Sequence, residues 1–235
     1  MRGTLLNIAT VLVGGTLGLV LGARLPERVR RTVVAGIGLF TAAMGVKMFL
    51  ETQNPLIVLG SLLLGGFLGE WWKIEDGLQG IGAFLERRFG GSKNPEDSSL
   101  FIRGFLVSSF VFCVGPMTIL GSIQDGLSGD YSLLAIKSVL DGFAALAFSS
   151  TLGVGVLFST LVILVYQGGL SLLAAQAQAL TSPAMMAELN AVGGVLLLGL
   201  AISNLLEITP IRVSNFLPAL VIAPLIVAVV NALSG

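Results

Sequence analysis

Residues 112–126 read FCVGPMTILGSIQDG, an apolar stretch that a Gly-Pro pair interrupts and that ends in an amide and an acid. Proline has no backbone N–H and its ring clashes with the preceding helical turn, so Gly115-Pro116 predicts a break in a helix. In a lipid bilayer such a break is tolerated only where the freed backbone groups meet protein or water. The stretch therefore predicts a broken transmembrane helix, the kind of segment in which transporters hold a polar ligand.

The composition of the 235-residue chain predicts a membrane protein. Hydrophobic residues make up 54% and charged residues 11% of it, with a mean hydropathy of +0.95, whereas soluble domains carry about 25% charged residues. The formal net charge of zero argues against a nucleic-acid partner, which requires a basic face. With no His and one Cys, the chain lacks the residues for an imidazole or thiolate metal site or a Ser-His nucleophile. We expect no cofactor.

The apolar runs predict an all-α, polytopic membrane protein that forms a single integral membrane domain over residues 1–235. About eight runs approach the roughly 20 residues that cross a bilayer. The first has neither a usual basic segment before it nor a clear cleavage site, so we expect it to be retained. Residues 141–160 are alternatively a hairpin that reaches into the bilayer, because no charge separates the fifth and sixth runs. The predicted spans are residues 4–22, 32–50, 54–72, 99–122, 132–150, 152–174, 187–207 and 214–233.

Positive charge predicts the orientation. Arginine and lysine cluster in the connections at 24–31 and 73–103, whereas those at 51–53, 123–131 and 175–186 contain neither residue. By the positive-inside rule the two basic connections are cytoplasmic, and with eight spans both termini lie outside.

The cytoplasmic segment 72–98 predicts a short amphipathic helix followed by a loop. Apolar residues recur on one helical face, acids occupy the first turn and arginines the last, and Gly90-Gly91 follows as a stop. Trp71 and Trp72 before it are typical of an aromatic belt. We expect this helix to lie on the membrane surface, with residues 92–99 as a mobile loop.

A weak internal repeat relates the second and third spans to the seventh and eighth. When Gly38 is placed on Gly194, residues 47–51 (KMFLE) lie over residues 203–207 (SNLLE), and a proline-containing turn follows each segment. With eight spans the two hairpins cross in opposite senses, as in the inverted repeats of many transporters. Chance similarity between apolar segments is the alternative.

Glycine recurs at every fourth position in two of the spans, at Gly14, Gly18 and Gly22 and again at Gly65 and Gly69. This spacing lets helix backbones approach closely in lipid. We expect packing within one bundle, and the alternative is the seam of a homodimer.

Three segments carry a family resemblance: FCVGPMTILGSIQDGLSGD (112–130), LDGFAALAFSSTLGVGVL (140–157) and NFLPAL (215–220). They resemble the bacterial multi-pass family catalogued as domain of unknown function 554, the YqgA and YdfK type, nearly end to end. The resemblance implies a bacterial plasma (inner) membrane protein with a transporter label, and it implies no activity or site residue. More distantly, the Gly-Pro and the Gly-rich hairpin resemble exporters of the lysine-exporter superfamily, although Val114 stands where those have the first proline of Pro-Gly-Pro.

The helix break supplies the first candidate binding residues. Pro116 cannot donate to the carbonyl one turn earlier and Gly115 allows a bend, so carbonyls near Phe112 and Cys113 are expected to be free for a ligand. The alternative is a proline kink relieved by Ser108 or Ser109, with the acid capping an outer loop. The candidates in this segment are Gly115, Pro116, Ser122, Gln124 and Asp125.

Asp141 is the sharper candidate, because it lies about halfway along the fifth span. An acid at that depth costs about 2.5–3.5 kcal/mol on insertion scales and therefore needs a partner. Lys137 lies one turn earlier, so a neutralising ion pair is one interpretation. The other is an acid that faces Gln167 or a bound cation. The remaining polar candidates in or near the spans are Ser150, Gln167, Asn204 and Asn215.

These features favour a secondary transporter of a small solute or ion, with a cation or zwitterion as the preferred substrate. A structural or regulatory membrane protein and an ion channel are the alternatives. An enzyme is not expected, since no local motif supports Asp125 and Asp141 as an intramembrane dyad. A nucleotide-driven pump is not expected either, since the sequence has no Walker-type phosphate-binding loop. The expected partners are the lipid bilayer, the solute and a second copy of the chain.

Overall fold

The computed structural model describes residues 1–23, 26–90, 95–178 and 182–234. All regular structure in these ranges is helical, as expected where lipid leaves the backbone to satisfy its own hydrogen bonds. The helices are α1 (Arg2–Gly22), α2 (Glu27–Phe49), α3 (Pro55–Trp72), α4 (Ile74–Leu85, followed by a π-helical turn Glu86–Gly90), α5 (Pro95–Cys113), α6 (Pro116–Leu127), α7 (Ser132–Leu152), α8 (Gly155–Leu172), α9 (Ala174–Ala177), α10 (Pro183–Leu200, followed by a π-helical turn Ala201–Leu205) and α11 (Ala219–Ser234, preceded by a 3-10 turn Val213–Phe216).

The helices confirm a polytopic helical membrane protein. Seven described segments are long and apolar enough to cross a membrane, and there are eight if the bent pair of α5 and α6 forms one span. Helices α7 and α8 each reach that length alone, so residues 141–160 contain the ends of two long helices and not a short hairpin.

Helix α4 confirms the predicted amphipathic segment, with acids in its first turn and Arg87 and Arg88 in the π-helical turn that extends it. Trp71 and Trp72 just before it are exposed, as side chains of an aromatic belt are.

The loop predicted over residues 92–99 is wrong at its C-terminal end, because α5 begins at Pro95. Proline suits the first position of a helix, where its missing N–H costs no hydrogen bond. Residues 91–94, including the predicted stop at Gly91, lie outside the described residues.

The contacts divide the chain into two compact units. The first combines Met1–Gly36 with Gln79–Gln178, and the second combines Ile37–Leu78 with Ala179–Gly235. Each unit is therefore closed by contacts between segments that are far apart in sequence.

In the first unit α1 and α7 run side by side in the same direction. A Cβ on Gly14 would strike the carbonyl oxygen of Gly142. One on Gly22 would strike that of Ser150, and Gly18 makes the same kind of contact between them. The first glycine stripe thus packs inside the chain, at a distance that only glycine permits.

In the second unit α2 lies antiparallel to α10. Gly38 near the start of α2 packs against Leu206 after α10, whereas Gly45 near the end of α2 packs against Gly194 within α10. The first helix of the α2–α3 hairpin and the first helix of the α10–α11 hairpin therefore run in opposite directions, as an inverted repeat requires.

Helix α3 is likewise antiparallel to the α11 segment, because Gly65 faces Ala219 and Gly69 faces Asn215. The second glycine stripe is therefore also occupied within its own unit, so neither stripe is free to form the seam of a dimer. Both hairpin directions agree with the predicted repeat, and the repeat itself stays a prediction.

Candidate functional site

The predicted break lies between α5 and α6, which meet at an angle of 63°. Gly115 precedes Pro116 in an extended conformation, and a Cβ built on it would meet nothing within 4 Å. The space beside the break is therefore open enough to take more than a glycine.

The carbonyl groups at the break are only partly satisfied. The Thr118 hydroxyl donates to the Phe112 carbonyl at 3.1 Å, so the carbonyl predicted to be free there is taken. No described backbone amide donates to the carbonyl oxygens of Cys113 or Val114. Because an unpaired carbonyl in hydrocarbon costs several kcal/mol, these two oxygens mark a place where a polar group can bind.

The predicted relief of the kink by Ser108 or Ser109 is wrong. The Ser108 hydroxyl donates to the Gly104 carbonyl at 2.6 Å, about three helical turns before the break. The Ser109 hydroxyl is buried without a partner. Thr118 relieves the kink instead, because α6 bends back far enough for its side chain to reach Phe112.

Asp141 on α7 forms a buried ion pair with Lys137. Both residues are less than one-tenth exposed, so the pair is withdrawn from solvent and its charges must balance each other. The Asn7 amide of α1 donates to the same carboxylate oxygen, Oδ2, at 3.0 Å. The close parallel packing of α1 on α7 brings Asn7 within reach of Asp141.

Asn7 links this pair to α8. Its Nδ2 also donates to Gln167 Oε1 at 3.0 Å, and Gln167 Nε2 donates to the Thr4 hydroxyl at 3.3 Å. Asn7, Thr4 and Gln167 are fully buried. The Oδ1 of Asn7 has no hydrogen-bond partner, so this network contains an unused acceptor.

The ion pair lies on a helix that packs against α5, the helix that ends at the break. The Cys113 side chain, at the end of α5, interacts electrostatically with both Lys137 and Asp141. The site around the pair thus combines a cation, an acid and two side-chain amides on α7, α1 and α8.

The other candidates of the broken segment have separate roles. Asp125 on α6 is buried and accepts from the Gly3 amide at 3.1 Å and from the Met1 amino group at 2.6 Å. It therefore caps the start of α1, and the predicted cap of an outer loop is wrong. Ser122 is buried and donates to the Thr118 carbonyl at 2.5 Å, whereas Gln124 is exposed.

The remaining candidates do not join Asp141 and Gln167. Ser150 donates to the Ala147 carbonyl of its own helix at 2.8 Å. Asn204 lies in the π-helical turn after α10 and Asn215 in the 3-10 turn before α11, so both belong to the second unit. Asn215 accepts from the Glu75 amide at 2.8 Å and caps the start of α4.

The second unit has its own buried acid, Glu188 on α10. Its carboxylate accepts from the Thr52 hydroxyl at 2.6 Å and from the amides of Gln53 and Asn54 at 2.8 and 2.9 Å. Both carboxylate oxygens are therefore engaged in holding the turn between α2 and α3.

Sequence reasoning missed Asn7 and Thr4. They are polar residues in an otherwise apolar first span, and that contrast is the signal that could have found them. Within the described ranges, no three His, Cys, Asp or Glu side chains converge as a metal site would require.

The family model described as "Protein of unknown function (DUF554)" matches residues 2–228. A relative from Escherichia coli (strain K12), "Uncharacterized protein YqgA", is 36% identical over 222 residues, or 94% of each chain. "Uncharacterized membrane protein YdfK" from Bacillus subtilis (strain 168) is 27% identical over 236 residues, covering 99% of this chain and 98% of that relative. No solved structure matches. Because the family match spans nearly every residue, the chain belongs to the DUF554 family.

Proposed function

We propose that the protein is a secondary transporter that moves a small solute or ion by alternating access, with a cationic or zwitterionic substrate. The observation that carries the proposal is the buried Lys137–Asp141 pair, and the unpaired carbonyls of Cys113 and Val114 at the helix break support it. Ionisable residues inside a membrane are costly, and they commonly mark the path of a solute or ion. A protein that only had to hold its helices together would gain little from this pair, because apolar side chains of similar volume are often as stable.

The packing of the second unit supports alternating access. Helices α2 and α10 are antiparallel, and so are α3 and α11. In many transporters inverted repeats of this kind exchange conformations, which gives an outward-open and an inward-open state. We place the protein in the bacterial inner membrane, with the basic connections in the cytoplasm, and assign it no catalytic activity and no cofactor. The likeness to the lysine-exporter superfamily and a homodimer stay predictions.

The test is transport by purified protein in sealed lipid vesicles. Radiolabelled monovalent cations, amines and amino acids are offered with and without a pH or sodium gradient. The proposal expects one class to accumulate in vesicles with protein and not in empty vesicles. If no solute moves and a membrane protein co-purifies in fixed ratio, the structural interpretation replaces transport. A channel would be favoured instead if the solute crossed at channel rates and its flux did not depend on the gradient of a second solute.

A further inference from the structure

The ammonium of Lys137 uses fewer hydrogen bonds than it can make. A lysine ammonium has three donors. Within the described residues its recorded partner is the Asp141 carboxylate, although Lys137 is only 6% exposed. A buried ammonium with unused donors can therefore take a further acceptor.

Unused acceptors lie next to it. Both hydrogen bonds to Asp141 end on Oδ2, which leaves Oδ1 without a described donor. The Oδ1 of Asn7 is buried and unpaired as well. The Asn7 amide cannot turn over to mend this, because its Nδ2 already donates to Asp141 and Gln167. The site therefore lacks a donor on one side and an acceptor on the other.

Neither a bare cation nor an anion supplies both the acceptor that Lys137 lacks and the donor that the oxygens of Asp141 and Asn7 lack. A metal or alkali cation could use Asn7 Oδ1, but it would add positive charge beside Lys137, where the one acid of the pair is already neutralised. An anion could use Lys137 but would stand against the Asp141 carboxylate. A ligand that carries both charges leaves the net charge of the buried site unchanged, so it avoids both penalties.

We propose that the site binds a small zwitterion with one carboxylate and one ammonium group. The ligand carboxylate accepts from Lys137, and the ligand ammonium donates to Asp141 and to Asn7 Oδ1. Binding thus exchanges one internal ion pair for two ion pairs with the ligand. This inference rests on the proposed transport function and narrows its substrate from a cationic or zwitterionic solute to a zwitterion.

The test is the thermal melting of detergent-purified protein with a panel of matched probes. Glycine, β-alanine and γ-aminobutyrate carry both charges at increasing separation. N-acetylglycine carries only the carboxylate, ethylamine only the ammonium, and sodium chloride only the bare cation. We expect one zwitterion, at about 100 times its Kd, to raise the melting temperature by roughly 5–10 °C. We expect no comparable shift from the single-charge probes.

Variants separate the roles of the two charges. Lys137→Gln should weaken binding of the zwitterion about 10- to 100-fold. The control Lys47→Gln makes the same change at an exposed lysine of the second unit and should leave affinity unchanged. If Lys137→Gln does not fold, the double variant Lys137→Gln/Asp141→Asn, which leaves no buried charge unpaired, should fold and bind no zwitterion.

Three results overturn the inference. One is a rise in melting temperature with sodium chloride or ethylamine alone that is larger in Lys137→Gln than in the wild type. A second is an unchanged melting temperature with every zwitterion. The third is full zwitterion binding by the double variant. If vesicles transport a cation while no zwitterion binds, the proposed transport function stands and only the substrate assignment fails. If no probe binds and no solute moves, both fail.

Discussion

Asp141 in the first unit and Glu188 in the second are both buried acids on membrane helices, yet their surroundings differ. Glu188 is fully engaged by a hydroxyl and two amides of one turn, all from its own unit. Asp141 faces a buried lysine and an asparagine whose oxygen is unpaired. An acid that the protein satisfies completely is a structural cap. An acid whose network keeps spare donors and acceptors is a candidate for binding a ligand.

Removing the acid of the pair should have the largest effect on stability. Asp141→Asn leaves the Lys137 ammonium buried without a counter-charge, which costs about 3–5 kcal/mol of unfolding free energy. Adding Lys137→Met should restore most of this loss. Denaturation in detergent measures both variants. If Asp141→Asn alone were as stable as the wild type, water would have to reach Lys137, and the ion pair would not be a buried one.

Changing a glycine of the α1–α7 seam should have the next largest effect. The Cβ of Gly18→Ala would strike the carbonyl oxygen of Leu146, a backbone atom that cannot move aside, so we expect a loss of about 3 kcal/mol. Gly60→Ala on α3 is the matched control, since its Cβ meets nothing within 4 Å, and it should be neutral or slightly stabilising. Equal melting temperatures for the two variants would contradict the parallel packing that brings Asn7 to Asp141.

Neutralising the acid of the second unit should cost less. Glu188→Gln keeps the shape of the side chain but weakens three hydrogen bonds, so we expect a loss of about 1–3 kcal/mol. Transport per folded molecule should not change, because the carboxylate serves only to hold the turn between α2 and α3. Abolished transport in a folded Glu188→Gln protein would remove the distinction between the two acids.

The smallest predicted effect concerns the loop before α7. The Ser132 hydroxyl, and then the Ser132 amide at 3.0 Å, donate to Asp130 and lower the pKa of that carboxyl below its usual value. The ionised Asp130 carboxylate therefore stabilises the fold at a pH above the pKa that Asp130 has in the unfolded chain. This stabilisation is lost as the pH falls through the lower pKa that Asp130 has in the folded protein. Ser132→Ala should melt slightly below the wild type at neutral pH, and the difference should vanish in acid. A difference that persists in acid would assign the effect to another cause.

Much of the fold follows from the chain itself. The Gly-Pro break, the spans and the amphipathic α4 come from local patterns of apolar residues, proline and charge, which act within a few turns of helix. The glycine stripe also predicted close packing, but it could not name the partner. Gly14 contacts a helix that begins more than a hundred residues later, and no local rule encodes that contact.

The candidate site shows the same limit. Asp141 and Gln167 are costly in a span and therefore stand out in the sequence. Asn7 joins them only because α1 packs parallel to α7, and a single asparagine in an apolar run usually serves as packing glue. Asp125 and Asn215 resemble site residues in the sequence, but the structure uses both as helix caps.

Transport by the double variant Lys137→Met/Asp141→Asn in sealed vesicles shows whether the buried ion pair is needed to move the solute. The variant removes both charges and leaves neither unpaired, so its fold should match that of the wild type by melting and by gel filtration. We expect the solute that the wild type transports to enter vesicles with the double variant no faster than empty vesicles, while Glu188→Gln transports it normally. Wild-type flux through the folded double variant would contradict the account, because the buried pair would then have no part in moving the solute.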